Sequence, residues 1–87
     1  MLTLEQIDTL EAEPLMGPNR LARAMELAGA TQLQIEEATG VRQPQVSAIK
    51  NGRYAKLPLG TAQRLAAFFG VTSDVLFPAR REESAAS

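Results

Sequence analysis

Apolar residues recur at helical spacing along most of this chain. The first such pattern consists of Leu4, Ile7 and Leu10. Thr3 and Gln6 have the spacing of a capping box in front of it, so a short amphipathic helix is predicted near residues 3–12. This N-terminal arm either packs on the domain as a fraying segment or serves as a dimerisation arm.

Glycine and proline separate this arm from the next helix. The segment Gly17-Pro18-Asn19 interrupts the pattern, and Pro18 is expected in the first turn of a helix that ends at Gly29. The apolar stripe of this helix comprises Leu21, Ala24, Met25 and Ala28. The spacing predicts that this stripe faces the core.

Two short helices are then predicted on either side of a tight turn. Thr31 and Gln34 form a second capping box, and the helix behind it ends at Gly40. Its expected apolar contacts are Leu33, Ile35 and Ala38. The next helix spans about Gln43 to Asn51, and Gly52 follows as the residue that ends it. Its apolar residues are Val46 and Ile49. Two short helices joined by a Gly-containing turn are the sequence form of a helix-turn-helix.

The remaining chain predicts one longer helix, a short turn and a tail. After a basic loop, a helix is expected from about Leu59 to Phe69, ended by Gly70. Its apolar face comprises Ala62, Leu65, Ala66 and Phe69. Ser73 is expected to cap a final short turn that ends at Pro78, and the polar residues 79–87 are expected to be disordered.

Length and composition narrow the possible functions. The chain has 87 residues, of which 45% are hydrophobic and 22% charged, enough for one folded domain. It contains no Cys and no His, so disulfides, thiolate metal sites and the commonest general base are excluded. Glu36 and Glu37 are adjacent, so on a helix they diverge by about 100° and cannot share a site. We therefore expect no enzyme, no cofactor and no metal site.

Nothing in the chain predicts a membrane association. The apolar stretches are too short to span a bilayer, and the first residues carry neither the basic nor the apolar region of a signal peptide. We expect a cytoplasmic protein of a bacterium or a phage.

Charge is distributed unevenly along the chain. Residues 1–41 carry seven acidic and two basic residues, a net charge of −5, whereas residues 42–73 carry five basic residues and no acid. Residues 74–87 carry a net charge of −1, and the three segments together give the whole chain a net charge of −1. A net charge this low is unusual for a nucleic-acid-binding protein. Because charges act over about 8–10 Å at physiological salt, the local basic segment decides contact with phosphates.

Residues 21–78 resemble the Cro/C1-type (XRE-like) helix-turn-helix domain. The resemblance rests on the order and spacing of four pieces, namely AGATQ, ATGV, QPQVSAIKNGR and LAAFFGVTSDVLFP. It implies an all-α fold: a compact five-helix lambda-repressor-like domain over residues 18–78, with an additional short helix in the arm 1–17 and a tail at 79–87. The function it implies is double-stranded DNA binding and transcriptional repression by a homodimer on a palindromic operator. The piece TAQRLAAFFG also resembles antitoxins that pair with a toxin.

The resemblance also implies which residues read bases. The second motif helix would lie in the major groove, which is about 12 Å wide, with its N-terminal residues at base edges. The expected base-reading residues are Arg42, Gln43, Pro44, Ser47 and Ala48. Gln43 can form a bidentate pair with adenine, and Arg42 can meet a guanine or a phosphate. Pro44 and Ala48 offer apolar surface to a thymine methyl group.

Phosphate contacts are expected from helix N-termini and from polar residues that flank the reading helix. The expected phosphate-binding residues are Gln32, Gln45, Lys50, Asn51, Arg53, Tyr54 and Lys56. Possible dimer contacts are Leu76 and Phe77, the face of the 59–69 helix, or the N-terminal arm.

The chain departs from the resembled family at Glu36, where the family usually has a small apolar residue between the motif helices. A buried unpaired carboxylate is costly, so an ion pair of Glu36 with Lys50 or Arg42 is predicted. The loop over 52–58 is also longer than the common version, which weakens residue-by-residue transfer there. The acidic net charge favours an alternative, a protein-interaction adaptor or antitoxin that uses the same fold for a protein partner.

Overall fold

The computed structural model describes residues 2–15 and 17–78, and this part of the chain is helical with no strand. The helices are α1 (Leu4–Ala12), α2 (Leu21–Ala28), α3 (Gln32–Thr39), α4 (Gln43–Lys50), α5 (Leu59–Phe69) and α6 (Ser73–Leu76). The predicted all-α fold, with five helices and a short N-terminal one, is confirmed. The predicted disordered tail lies outside the described residues.

The N-terminal arm packs on the body of the same chain. Helix α1 begins with the predicted capping box, in which Thr3 and Gln6 satisfy each other's backbone N–H groups. Leu10 is fully buried, and Leu2 is buried and donates its backbone N–H to the Phe69 carbonyl at 3.2 Å. The Gln6 side chain donates to the Leu27 carbonyl at 2.7 Å. The arm is therefore part of the core in the protomer.

Helix α2 begins later than the sequence predicts. Its N-cap is Arg20, so Pro18 lies in the segment before the helix and not in its first turn. Arg20 donates its backbone N–H to the Leu76 carbonyl at 2.8 Å and its guanidinium to the Val75 carbonyl at 3.0 Å. These long-range bonds fix the start of α2 against the end of α6.

Helix α3 buries less than its sequence pattern predicts. Its Thr31–Gln34 capping box is present, and Ile35 is fully buried. Leu33 is 50% exposed and Ala38 is also exposed, so the prediction that both supply core contacts is wrong. Leu33 and Ile35 are two positions apart, which places them about 200° apart around the helix, so Leu33 points away from the side on which Ile35 is buried.

Helix α5 is the centre of the core. Its predicted apolar face is confirmed, because all four residues of that face are buried: Ala62, Leu65, Ala66 and Phe69. Each large aliphatic or aromatic side chain buried in this way contributes about 1.5–3 kcal/mol of transfer free energy. Helix α5 packs against both α3 and α6, so it holds the helix-turn-helix to the end of the domain.

The chain end near α6 corrects two predictions. Thr72 is the N-cap of α6 and Ser73 is its first residue, so Ser73 is not the cap. Leu76 has no exposed surface and Phe77 is 2% exposed, because both complete the core beside α5. Side chains without accessible surface cannot contact a second protomer, so the prediction that Leu76 and Phe77 are dimer contacts is wrong.

Candidate nucleic-acid interface

The turn between α3 and α4 is short and closely bonded. Gly40 adopts the left-handed region at φ +79°, which lets the chain reverse direction without a Cβ clash. Thr39 Oγ1 donates to the Ile35 carbonyl at 2.7 Å and accepts the Val41 N–H at 3.1 Å. Val41 is buried beneath the turn. The hydrogen bonds of the turn and the buried Val41 side chain below it therefore constrain how α4 leaves α3.

Helix α4 has a buried side and an open side. Val46 is fully buried and Ile49 is 2% exposed, as the sequence predicts. The predicted base-reading residues keep access to solvent, since Arg42, Gln43 and Pro44 are exposed while Ser47 and Ala48 are half-buried. The open side thus presents one cation, one amide, one hydroxyl and two small apolar surfaces, a mixture suited to base edges.

The N-terminal end of α4 is capped from the neighbouring helix. Arg42 is the N-cap residue and makes no side-chain cap hydrogen bond. The Gln43 N–H instead donates to a Glu36 carboxylate oxygen of α3 at 3.3 Å. In the described residues no cation forms a salt bridge with Glu36, so its predicted ion pair with Lys50 or Arg42 is wrong. Glu36 is half-buried, and this helix N-terminus satisfies it in place of a cation.

The C-terminal end of α4 is held in a different way. Gly52 has φ +75°, and the Arg53 N–H donates to the Ala48 carbonyl at 2.8 Å, which closes a Schellman motif. A Cβ on Gly52 would lie 2.6 Å from the Pro18 Cβ, so the Pro18 ring rests directly on this glycine. Asn51, the C-cap residue, donates its side chain to the Ser47 carbonyl at 3.0 Å.

Asn19 helps to position α4, a role that the sequence analysis did not predict. Its side chain is buried and donates to the Ile49 carbonyl at 2.8 Å and to the Tyr54 hydroxyl at 3.4 Å. Its oxygen accepts the Leu21 N–H at 2.9 Å. The bond to Leu21 is local, and an Asn two residues before the start of a helix is a sequence signal for it. The bonds to Ile49 and Tyr54 span 30 and 35 residues, and no local pattern signals them.

The predicted phosphate-binding residues do not all have the same surroundings. Exposed positions are held by Gln45, Asn51, Arg53 and Lys56. Gln32 is half-buried at the first position of α3. The hydroxyl of half-buried Tyr54 is already a partner of Asn19. Half-buried Lys50 lines a depression with Met25 and Glu26 of α2, so it lies on the side of α4 that faces that helix.

The basic residues of segment 42–73 have no acidic partner in the described part of the chain. The salt bridges there join Arg23 to Glu13 at 2.9 Å and to Glu26 at 3.4 Å. The Arg23 hydrogen bonds lower the pKa of the Glu13 carboxyl, and Glu13 in turn raises the pKa of Arg23. This pairing removes charge from the α2 surface. The cations of α4 and of the loop after it stay available to an external anion.

The described residues hold neither a candidate metal site nor a helix that could span a membrane. No cluster of acidic side chains among them has the arrangement of a metal site. None of their helices has the length and apolarity needed to cross a bilayer.

Comparison with known proteins supports the arrangement of α3 and α4. A helix-turn-helix family model matches residues 21–76, from the first residue of α2 to the last residue of α6. No curated protein and no solved structure matches the chain. The family match covers more than half of the 87 residues and contains both motif helices with the turn between them. The chain belongs to the Cro/C1-type (XRE-like) helix-turn-helix family of DNA-binding transcription regulators.

Proposed function

We propose that this protein is a sequence-specific repressor that inserts α4 into the major groove of double-stranded DNA. The observation that carries the proposal is the division of α4 into a buried side and an open polar side. A helix fixed by Val46 and Ile49 can present a constant set of side chains to base edges. Base reading needs this rigidity, because a bidentate hydrogen bond tolerates little misplacement.

The proposed base contacts lie near the N-terminal end of α4. Gln43 pairs with an adenine edge, and Arg42 with a guanine or a nearby phosphate. Pro44 and Ala48 contact thymine methyl groups, and Ser47 donates to or accepts from either edge. The exposure of Arg42, Gln43 and Pro44 supports these roles.

The proposed phosphate contacts lie on both sides of these readers. Gln32 acts from the N-terminus of α3, where backbone N–H groups favour an anion. The contacts on the other side come from Gln45, Asn51, Arg53, Tyr54 and Lys56, with Lys50 in a secondary role because it faces α2. The unpaired state of Arg53 and Lys56 in the described residues supports this assignment.

We further propose that two copies bind a palindromic operator in a prokaryotic cytoplasm. One domain of this size contacts a few base pairs, and pairing of two domains increases both affinity and specificity. With Leu76 and Phe77 buried, the outer face of α5 and the N-terminal arm remain as dimer surfaces in this proposal. On the outer face of α5, Leu59 is 43% exposed, and Gln63 and Ala67 are also exposed.

The test is selection of bound fragments from a random DNA pool, followed by titration at several salt concentrations. A palindromic motif with a fixed half-site spacing is expected, and log affinity should fall linearly with log salt. A non-palindromic motif would contradict the dimer but not DNA reading. Failure to bind any DNA at about 50 mM salt would overturn the proposal.

A second candidate is an adaptor or antitoxin that binds a protein partner. Leu4 favours it, because this large apolar side chain is 82% exposed on α1. Glu5, Asp8 and Glu11 of the same helix are also exposed and would suit a basic partner. Loss of partner binding in Leu4→Ser, with DNA binding unchanged, would show that both activities coexist in one chain.

A further inference from the structure

The reading helix α4 begins without a cap of its own. Preferred N-cap residues use a short side-chain oxygen to accept a backbone N–H of the first turn. Arg42 has no such oxygen, and it makes no side-chain cap hydrogen bond. The acceptor comes from seven residues earlier, since a Glu36 carboxylate oxygen lies 3.3 Å from the Gln43 nitrogen. The start of α4 is thus tied across the turn to α3.

This cap also changes the electrostatics of the open end. A helix N-terminus carries a partial positive charge and free N–H groups, which ordinarily favour a phosphate. Here a carboxylate of the protein itself occupies the Gln43 N–H. Glu36 is only half-buried, so its charge remains close to the surface that meets DNA. After Glu36 and the adjacent Glu37, the sequence has no acid over residues 38–73, and the loop that follows α4 is basic.

We propose that Glu36 is a positioning residue that determines specificity by keeping the α4 N-terminus off the phosphate backbone. This inference rests on the proposed function. With the cap in place, the Gln43 backbone is fixed and its side chain meets one base pair. Without the cap, the freed Gln43 N–H can donate to any phosphate, which favours binding of α4 independently of sequence.

The charge and the hydrogen bond of Glu36 can be separated by two substitutions. Glu36→Gln keeps an acceptor oxygen and removes the charge, so affinity for selected and random DNA should rise together, by about three- to fivefold at 50 mM salt and less at higher salt. Glu36→Ala removes both the acceptor oxygen and the negative charge. It should raise affinity for random DNA at least as much and lower affinity for the selected site, so that their ratio falls about tenfold or more.

Glu37 supplies the matched control, because it is adjacent in α3, carries the same charge and is exposed. Glu37→Gln and Glu37→Ala should leave the ratio of selected to random affinity within about twofold of the unsubstituted protein. A ratio kept within twofold in Glu36→Ala would overturn the inference. An equal change in Glu37→Ala would overturn it too, because the effect would then not depend on the cap.

Amide hydrogen exchange tests the cap without DNA. The Gln43 amide should exchange about tenfold faster in Glu36→Ala than in the unsubstituted protein, and at nearly the unsubstituted rate in Glu36→Gln. Unchanged exchange at Gln43 in Glu36→Ala would show that the carboxylate does not hold the helix end. If Glu36→Ala does not fold, Glu36→Met takes its place in both measurements, because Met has a similar length, favours helices and has no acceptor oxygen, so the same fall in the affinity ratio is expected. If the unsubstituted protein binds no DNA, the proposed function fails, while this exchange measurement still decides the cap.

Discussion

The two ends of the reading helix α4 are built in opposite ways. At its N-terminal end, Arg42, Gln43 and Pro44 are exposed, and the first amide is capped by Glu36 of the preceding helix. At its C-terminal end, the Pro18 ring covers Gly52 and buried Asn19 bonds to the Ile49 carbonyl. In the proposed function, one helix of eight residues serves two purposes. Its N-terminal end reaches into a groove, whereas the contacts at its C-terminal end fix the direction in which the helix points.

The segment before α2 supports the C-terminal end of α4. A short helix contributes little stability of its own, because nucleation is costly and most of its stability comes from packing. Val46 and Ile49 anchor its buried side. The contacts from Pro18 and Asn19 add an anchor at the C-terminal end, away from the proposed base-reading residues, so this anchor leaves their exposed surface free.

The largest expected effect is at the held end, in Gly52→Ala. A residue with φ +75° strains any side chain, and the new Cβ would lie 2.6 Å from the Pro18 Cβ. Left-handed strain of about 1–2 kcal/mol and overpacking of about 1–3 kcal/mol should together lower the free energy of unfolding by about 3 kcal/mol in urea denaturation. Gly60→Ala is the control, because nothing lies within 4 Å of a Cβ there. It should be neutral or stabilising, and equal losses in both variants would contradict the account.

Asn19→Ala should have the second largest effect. It removes the donor to the Ile49 carbonyl and the acceptor of the Leu21 N–H in a buried setting. Leaving such groups unsatisfied costs about 1–3 kcal/mol each, so we expect a loss of about 2–3 kcal/mol in the free energy of unfolding. Asn51→Ala, which removes an exposed side-chain bond at the same helix end, should cost less than about 0.5 kcal/mol. Similar losses would show that burial of Asn19 is not the cause.

Substitution at the open end should change binding and not folding. Gln43→Ala should weaken binding to the selected site by about 1–3 kcal/mol and relax preference at one base pair, with unfolding unchanged. Arg53→Ala should weaken all DNA alike and reduce the slope of log affinity against log salt by about 1. Identical behaviour of the two variants on selected and random DNA would make the assignment of base and phosphate roles wrong.

The smallest expected effect concerns the Glu13–Arg23 ion pair, which lies away from both ends of α4. Hydrogen bonds from Arg23 lower the Glu13 pKa below its ordinary value of 4.5. The pair therefore stabilises the fold above that value, and the contribution is lost as pH falls through the lower folded pKa. The stability difference between the unsubstituted protein and Glu13→Gln should be small near neutral pH and vanish in acid. A difference that grows as pH falls would contradict this sign.

Local patterns were sufficient for most helix bounds in this chain. Capping boxes at Thr3 and Thr31, and glycines after α2, α3 and α5, mark helix ends through contacts within a few residues. Such contacts are present in the sequence itself. The start of α2 was missed for the opposite reason. Pro18 has a role in a contact with Gly52, far along the chain, and not in the helix that follows it.

The predicted site was only partly accessible to sequence reasoning. The open side of α4 follows from the spacing of Val46 and Ile49, because a helix with one apolar stripe must expose its other side. The partner of Glu36 did not follow, since pairing a carboxylate with a cation is the ordinary expectation, and a helix N-terminus serves as well. The burial of Leu76 and Phe77 also depended on how α6 packs on α5.

The sequence by itself determined the helices, the tight turn at Gly40, the face of α4 that carries Gln43, and the family. These depend on periodicity and on local backbone chemistry, which act over a few residues. Only the tertiary structure decided that Glu36 caps α4, that Asn19 and Pro18 hold its far end, and that Leu76 and Phe77 are core. Those contacts join residues separated by up to 35 positions, and distance in space has no local signature in a sequence.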